Sequence, residues 1–177
     1  MKTQRSQLGV SLVESVTVVA VAAILAGTAA PSLADFIGSR RLEGAATQLA
    51  TDIQFVRTDA VARNQPLRIG FFSSSEGSCY VVHSGAAGLC SCAATGSAEC
   101  SGDAVQIKTV QLPSRDKVGV SVNAASLVFD PLHGTVSPTA TVRVVGPQGR
   151  AIHHVVNVMG RVRSCSPQAT MPGYRAC

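Results

Sequence analysis

The chain contains no tryptophan, and aromatic residues make up only 4% of its 177 positions. Few side chains are therefore available to grip nucleotide bases by stacking. No C-x-x-C pair occurs; the closest spacing is Cys90-Ser-Cys92. That removes the usual thiolate arrangement of a structural zinc site. Between Pro131 and Cys177 there is no Asp or Glu at all. No Ser/His/Asp set, phosphate loop or pair of carboxylates stands at motif spacing anywhere. His153-His154 would point to opposite faces of a strand, and His83 and His133 are isolated, so histidines in core or surface positions are expected rather than a metal pair. These absences argue against an enzyme, a metal site or a bound cofactor. No internal repeat is visible.

What is present has a marked order. The length suits one globular domain plus an extra segment. Hydrophobic residues reach 46%, and much of that is Ala and Val in one N-terminal run. Six cysteines in so small a chain suggest disulfides and an oxidising compartment. The formal charge is +5. Five arginines (Arg143, Arg150, Arg161, Arg163, Arg175) fall in the acid-free C-terminal segment, which makes it the most asymmetric part of the chain. Such a segment suits an anionic partner, or is a solvated basic face.

Met1 to Gly9 is short, polar and basic, with Lys2 and Arg5. Val10 to Leu33 is then almost wholly apolar, broken by one acid, Glu14. Ser15 to Ala34 carries no charge over 20 residues, enough for a helix to cross the hydrocarbon of a bilayer. The basic leader should stay cytoplasmic and the rest should lie outside. A secretory signal peptide would also be apolar, and Ala29-Ala30-Pro31 could pass for its cleavage site. It offers no reason for Glu14, because a charge inside an apolar helix is costly in lipid.

Helical spacing continues beyond the span. Leu42, Ala45, Ala46, Leu49, Ile53, Val56 and Ala60 recur at steps of three and four. Arg40, Arg41, Glu43, Gln48, Asp52 and Asp59 fall mostly off that stripe. Asn64-Gln65-Pro66 should end the helix, since proline disfavours helix at the residue before it. A helix from Val10 to Asn64 would be about 80 Å long, and Gly27 and Pro31 should bend it. After Pro66 the period shortens to two. Strands are expected at 67–72, 79–83, 105–112, 118–122, 125–129, 140–145 and 151–159. Ser84 to Asp103 reads as a Gly/Ala/Ser loop holding three cysteines. The expected fold is α+β: a leader at 1–9, a helix at 10–64 whose transmembrane part covers about 10–34, and a β-rich domain at 65–177. The long helix should pack on antiparallel sheet.

Gly9-Val10-Ser11-Leu12-Val13-Glu14 resembles the prepilin peptidase signature, usually G-F-T-L-I-E. Basic leader, Gly9 ahead of an apolar helix and Glu14 five residues into the mature chain coincide. Pro31 stands where pilin helices commonly carry a proline. Further motifs are similar to those of the GspH/FimT family of minor pilins and pseudopilins. They are Leu49 to Ala60 followed by Arg63-Asn64, then Phe129-Asp130-Pro131 with Gly134, then Gly160-Arg161-Val162-Arg163 with Cys165.

That resemblance implies a history and a set of partners. A prepilin peptidase would cut after Gly9 and methylate the amine of Val10. Glu14, stable in an apolar helix only if paired, would meet the N-terminal amine of a neighbouring subunit and set axial register. The resemblance also supports a disulfide between Cys165 and Cys177, which would pin the tail by about 3 kcal/mol. Cys79, Cys90, Cys92 and Cys100 allow three pairings. In some members of the family the G-R-x-R pattern is implicated in DNA uptake. On a strand Arg161 and Arg163 would face the same side and present two guanidinium forks suited to phosphate. Arg143, Arg150 and Arg175 would extend that basic surface. Contacts would be to the backbone of double-stranded DNA, hence indifferent to sequence. The competing reading is a pair of exposed arginines guarding a sheet edge.

The expectation is therefore a minor pilin of a type IV pilus, held first in the bacterial inner membrane with its domain in the periplasm and later in the filament, at or near its tip. Its partners would be prepilin peptidase, other pilins or pseudopilins, the inner membrane and DNA. A type II secretion pseudopilin is the alternative. A membrane sensor that keeps its leader is a third class.

Overall fold

The computed structural model describes residues 11–93 and 97–177. Gly9 and Val10, which carry the cleavage expectation, lie outside them. Two units are distinct, one ending at Ile37 and a compact domain from Gly38 to Cys177.

Helix α1 runs from Leu12 to Arg63. In the first unit it is apolar, and Leu12, Val13, Val16, Val19, Ile24 and Leu25 are exposed. By length and composition it is sufficient to cross a membrane. Its start is capped, because the Glu14 amide donates to Ser11 Oγ at 3.2 Å. Two of its hydroxyls are satisfied internally. Thr17 Oγ1 donates to the Glu14 carbonyl at 2.9 Å and Thr28 Oγ1 to the Leu25 carbonyl at 3.0 Å.

In the domain the same helix becomes amphipathic. Leu42, Ala46, Leu49, Ile53, Val56 and Ala60 are wholly buried. The helix stops where Asn64 takes a left-handed φ of 49° and the Gln65 amide reaches back to the Ala60 carbonyl at 3.1 Å. Pro66 follows and cannot continue the ladder.

Eleven strands follow among the described residues: β1 (Leu67–Ser74), β2 (Gly77–Ser84), β3 (Cys90–Cys92), β4 (Ala98–Cys100), β5 (Gln106–Pro113), β6 (Gly119–Val122), β7 (Ser126–Phe129), β8 (Val136–Ser137), β9 (Ala140–Val145), β10 (Ala151–Val156) and β11 (Val162–Cys165). They form a five-stranded sheet ordered β5-β2-β1-β7-β8 and a four-stranded sheet ordered β11-β10-β9-β6. All named pairings are antiparallel. Alternate residues of both sheets join the helical stripe in one core. Ile69, Tyr80, Leu127 and Phe129 come from the larger sheet, and Val142, Val144, Ile152 and Val156 from the smaller.

Three expectations need correction. The segment 84–103 is not only loop, because β3 and β4 pair within it as a small hairpin held by two disulfides. The strand expected to reach Met159 ends at Val156, where a turn forms and the Gly160 amide bonds the Asn157 carbonyl at 2.8 Å. The strand bearing the C-terminal arginines begins at Val162, so Arg161 precedes it.

Candidate functional site

Asp52 falls off the apolar stripe in sequence, yet it is buried at 2% exposure. An isolated carboxylate would not remain charged there without partners. Three are supplied from three elements. Tyr80 Oη on β2 donates to Oδ2 at 2.7 Å, Lys108 Nζ on β5 donates to Oδ1 at 2.7 Å, and Gln48 Nε2 one turn back donates at 3.1 Å. The tyrosine hydroxyl is pushed up by burial first and then by the bond to Asp52 and its charge. The network ties the helix to the five-stranded sheet.

His154 makes the equivalent tie to the four-stranded sheet. Its Nε2 lies 2.9 Å from the Ala46 carbonyl, which can only accept, so that nitrogen carries the proton. Nδ1 then accepts from Ser164 Oγ at 2.9 Å. Burial pushes the imidazole below its ordinary range, and the neutral ring suits this role.

The three family-like motifs converge on Arg57. Its Nε donates to the Gly134 carbonyl at 2.9 Å, and Gln54 Nε2 donates to the Gly160 carbonyl at 3.2 Å. A methyl group on Gly160 would lie 2.7 Å from Arg57 Cδ, and Gly160 has φ +68°. Only glycine fits both demands. The glycine of the G-R-x-R pattern therefore has a packing duty of its own.

The arginines are distributed over the small sheet. Register places Arg143 opposite His153, His153 opposite Cys165, and Val155 opposite Arg163. These share the face turned away from the core. Arg143 and Arg163 are exposed there, with no side-chain partner among the described residues. His153 is held low by burial and by the Arg143 charge. Arg161 is exposed and stands just before the strand, its amide fixed by Asn157 Oδ1 at 3.0 Å. Arg150 lies in the β9–β10 connection, at the end of the sheet opposite to Arg161, and bonds Ser39 Oγ and Gln148 Oε1. Arg175 is on the C-terminal tail, its carbonyl accepting from the Ser166 amide at 2.8 Å. Thus Arg143, Arg161 and Arg163 share one region, Arg175 borders the strand's other end, and Arg150 is engaged in holding the helix. β11 is an edge strand, as the guarding reading requires.

Cys165 is bonded to Cys177, with Cα atoms 4.9 Å apart. Cys79 pairs with Cys92 and Cys90 with Cys100. No cluster of metal-ligating side chains occurs among the described residues. Glu14 is exposed on the apolar helix.

No curated protein matches this chain in sequence. Among solved structures it resembles the type IV minor pilin FimU of Pseudomonas aeruginosa, with a TM-score of 0.54 and 16% identity, covering 75% of this chain and 97% of that one. It also resembles the minor pseudopilin EpsH of the type 2 secretion system of Vibrio cholerae, with a TM-score of 0.49 and 11% identity, covering 72% and 98%. The family model described as type II transport protein GspH matches residues 45–160, which take in Arg57, Gly134 and Gly160 but stop short of Arg161 and Arg163. The chain accordingly belongs to the GspH family of minor pilins and pseudopilins.

Proposed function

We propose that the chain is a minor pilin of a type IV pilus whose small sheet contacts DNA through phosphate. It is made as a prepilin with leader 1–9, anchored in the inner membrane by the first part of α1 with its 65–177 domain in the periplasm, cut after Gly9 and methylated on Val10. Glu14 then pairs with a neighbouring subunit's amine. The observation that carries the DNA reading is the exposed set Arg143, Arg161 and Arg163 on a segment without a single carboxylate side chain. Nothing nearby in sequence neutralises these charges, so a polyanion is the matching ligand.

The experiment uses the domain from Gly38 onward, which is one compact unit. Fluorescence anisotropy of a labelled duplex is followed over several salt concentrations. Binding should be salt-sensitive and indifferent to sequence. Replacing Arg161 and Arg163 with Gln should lower the log–log salt slope by about 1.8, or about 0.9 for each phosphate left without its arginine. Equal affinity and slope for parent and variant would remove both residues from the role. If the parent does not bind at low salt, the secretion pseudopilin becomes the better reading.

Processing is tested separately. The intact mass of the membrane or filament form should begin at Val10 with one added methyl. A mature chain starting near Pro31 or Ser32 would mean an ordinary signal peptide.

A further inference from the structure

The five-stranded sheet turns Ile69, Tyr80 and Val82 to the core. Neighbouring residues on a strand face opposite ways, so Phe72, Cys79 and Gln111 belong to its other face. Register sets these three opposite one another across β1, β2 and β5. The β3–β4 hairpin stands on this row. The Cys79–Cys92 disulfide ties it to β2 and the Cys90–Cys100 disulfide closes it. Gln111 Nε2 also donates to the Ala93 carbonyl at 3.3 Å. No described residue of the hairpin joins the core, so covalent bonds hold it where packing does not. It bounds a groove of about 940 Å³. Small-molecule sites occupy ~300–1,000 Å³, so this one has room for several linked units.

The turn between β1 and β2 is a second boundary, and it too is fixed. The Ser114 amide donates to the Glu76 carbonyl at 2.9 Å, and the Glu76 amide to Ser74 Oγ at 3.2 Å. Gly77 has φ +143°, and a methyl group there would run into the Leu112 carbonyl. The site is therefore built before any ligand arrives, which lowers the cost of binding.

Its lining is hydroxylated around one aromatic ring. Phe72 is half-buried, and its ring lies over Gly70, where a methyl group would come within 3.1 Å of Cε2. Ser73, Ser75, Ser91 and Ser114 are exposed along the groove, and their hydroxyls have no partner among the described residues. Each hydroxyl can both donate and accept. The charge is balanced, because exposed Glu76 and Arg115 contribute one of each sign.

We infer that this groove binds a neutral oligosaccharide of pyranose units. A pyranose has an apolar C–H face, which suits the electron-rich face of Phe72. Its rim of hydroxyls donates and accepts, as the serines and the Gln111 amide do. The other ligand classes fit less well. Glu76 opposes a polyanion and Arg115 a cation. β2 lies between β1 and β5, so the floor has no free strand edge with which a peptide could pair. The groove is on the five-stranded sheet, whereas Arg143 and Arg163 are on the four-stranded one, so it is a site separate from the basic surface.

The test is calorimetric titration of the full chain in phosphatidylcholine nanodiscs. The probes are chitohexaose, cellohexaose and maltohexaose at millimolar concentration. At least one should bind. Preference for chitohexaose would point to an aminosugar polymer of the cell-wall kind, and preference for the other two to a plain hexose polymer. Phe72→Ala should lower the affinity at least tenfold by removing the ring stack. Gln111→Ala combined with Ser91→Ala should also lower it at least tenfold. Both of these positions are exposed, so the melting temperature of the double variant should stay near that of the parent. That variant keeps the test decisive if Phe72→Ala does not fold. No binding of any hexasaccharide, or binding unchanged in the folded variants, would overturn the inference. So would a single-stranded oligonucleotide or an extended peptide that binds in place of the sugars and is lost in the double variant.

Discussion

Glu14→Val is expected to leave the protein in the membrane and to lower its incorporation into filaments about a hundredfold. The substitution makes the apolar segment more apolar, so insertion is favoured further. What it removes is a carboxylate on an exposed helix face, near the capped start of α1. A charge in that setting costs several kcal/mol unless it is paired. Breaking a desolvated ion pair by deleting one partner costs about 3 kcal/mol or more, which is two orders of magnitude in an equilibrium. The measurement is quantitative immunodetection in membrane and sheared-filament fractions, with Glu14→Asp as the conservative control. Equal filament content for Glu14→Val and parent would exclude a register role. Loss from both fractions would mean that the residue acts in folding or insertion instead.

The second large effect is expected in the domain. Asp52→Ala should destabilise the fragment from Gly38 onward by about 3 kcal/mol, because the Tyr80 hydroxyl and the Lys108 ammonium lose their common acceptor in a buried position. Lys108 is partly solvated, which limits its share. For a domain of this size the melting temperature should fall by about 10 °C. Tyr80→Phe, which removes one bond but leaves the ion pair, should cost about 1 kcal/mol. A chemical-denaturation series checks both. If Asp52→Ala melts with the parent, the helix is held to the larger sheet by apolar packing alone, through residues such as Ile53 and Val56. The tyrosine supplies a pH test of the same network. Its folded-state ionisation is shifted upward, so its contribution is complete below its ordinary range, near pH 10, and falls as the pH rises above it.

The arginine pattern had a double meaning that the chain alone could not divide. Gly160 is demanded by Arg57 and by its own φ, a duty independent of any ligand. Arg161 and Arg163 have no comparable packing role; their side chains face solvent. One motif thus contains a packing residue and two residues free for a partner. The family match ends at the first of these.

Local order was readable because it is written in near neighbours. The apolar run, the stripe from Leu42 to Ala60 and the period-two segments after Pro66 each repeat within a few residues, and backbone geometry converts those repeats into helix and strand. Asn64 and Pro66 ended the helix for reasons contained in their own bonds. The division of the strands into two sheets was not written that way, nor was the pairing of Cys79 with Cys92 and Cys90 with Cys100. Asp52 looked like a surface acid because its partners Tyr80 and Lys108 are 28 and 56 residues away. Nothing near Arg57 in sequence indicated its role, because its acceptor, the Gly134 carbonyl, is 77 positions on. A polar residue's fate depends on whether distant groups arrive to satisfy it once water is excluded, and only the packed chain decides which ones do.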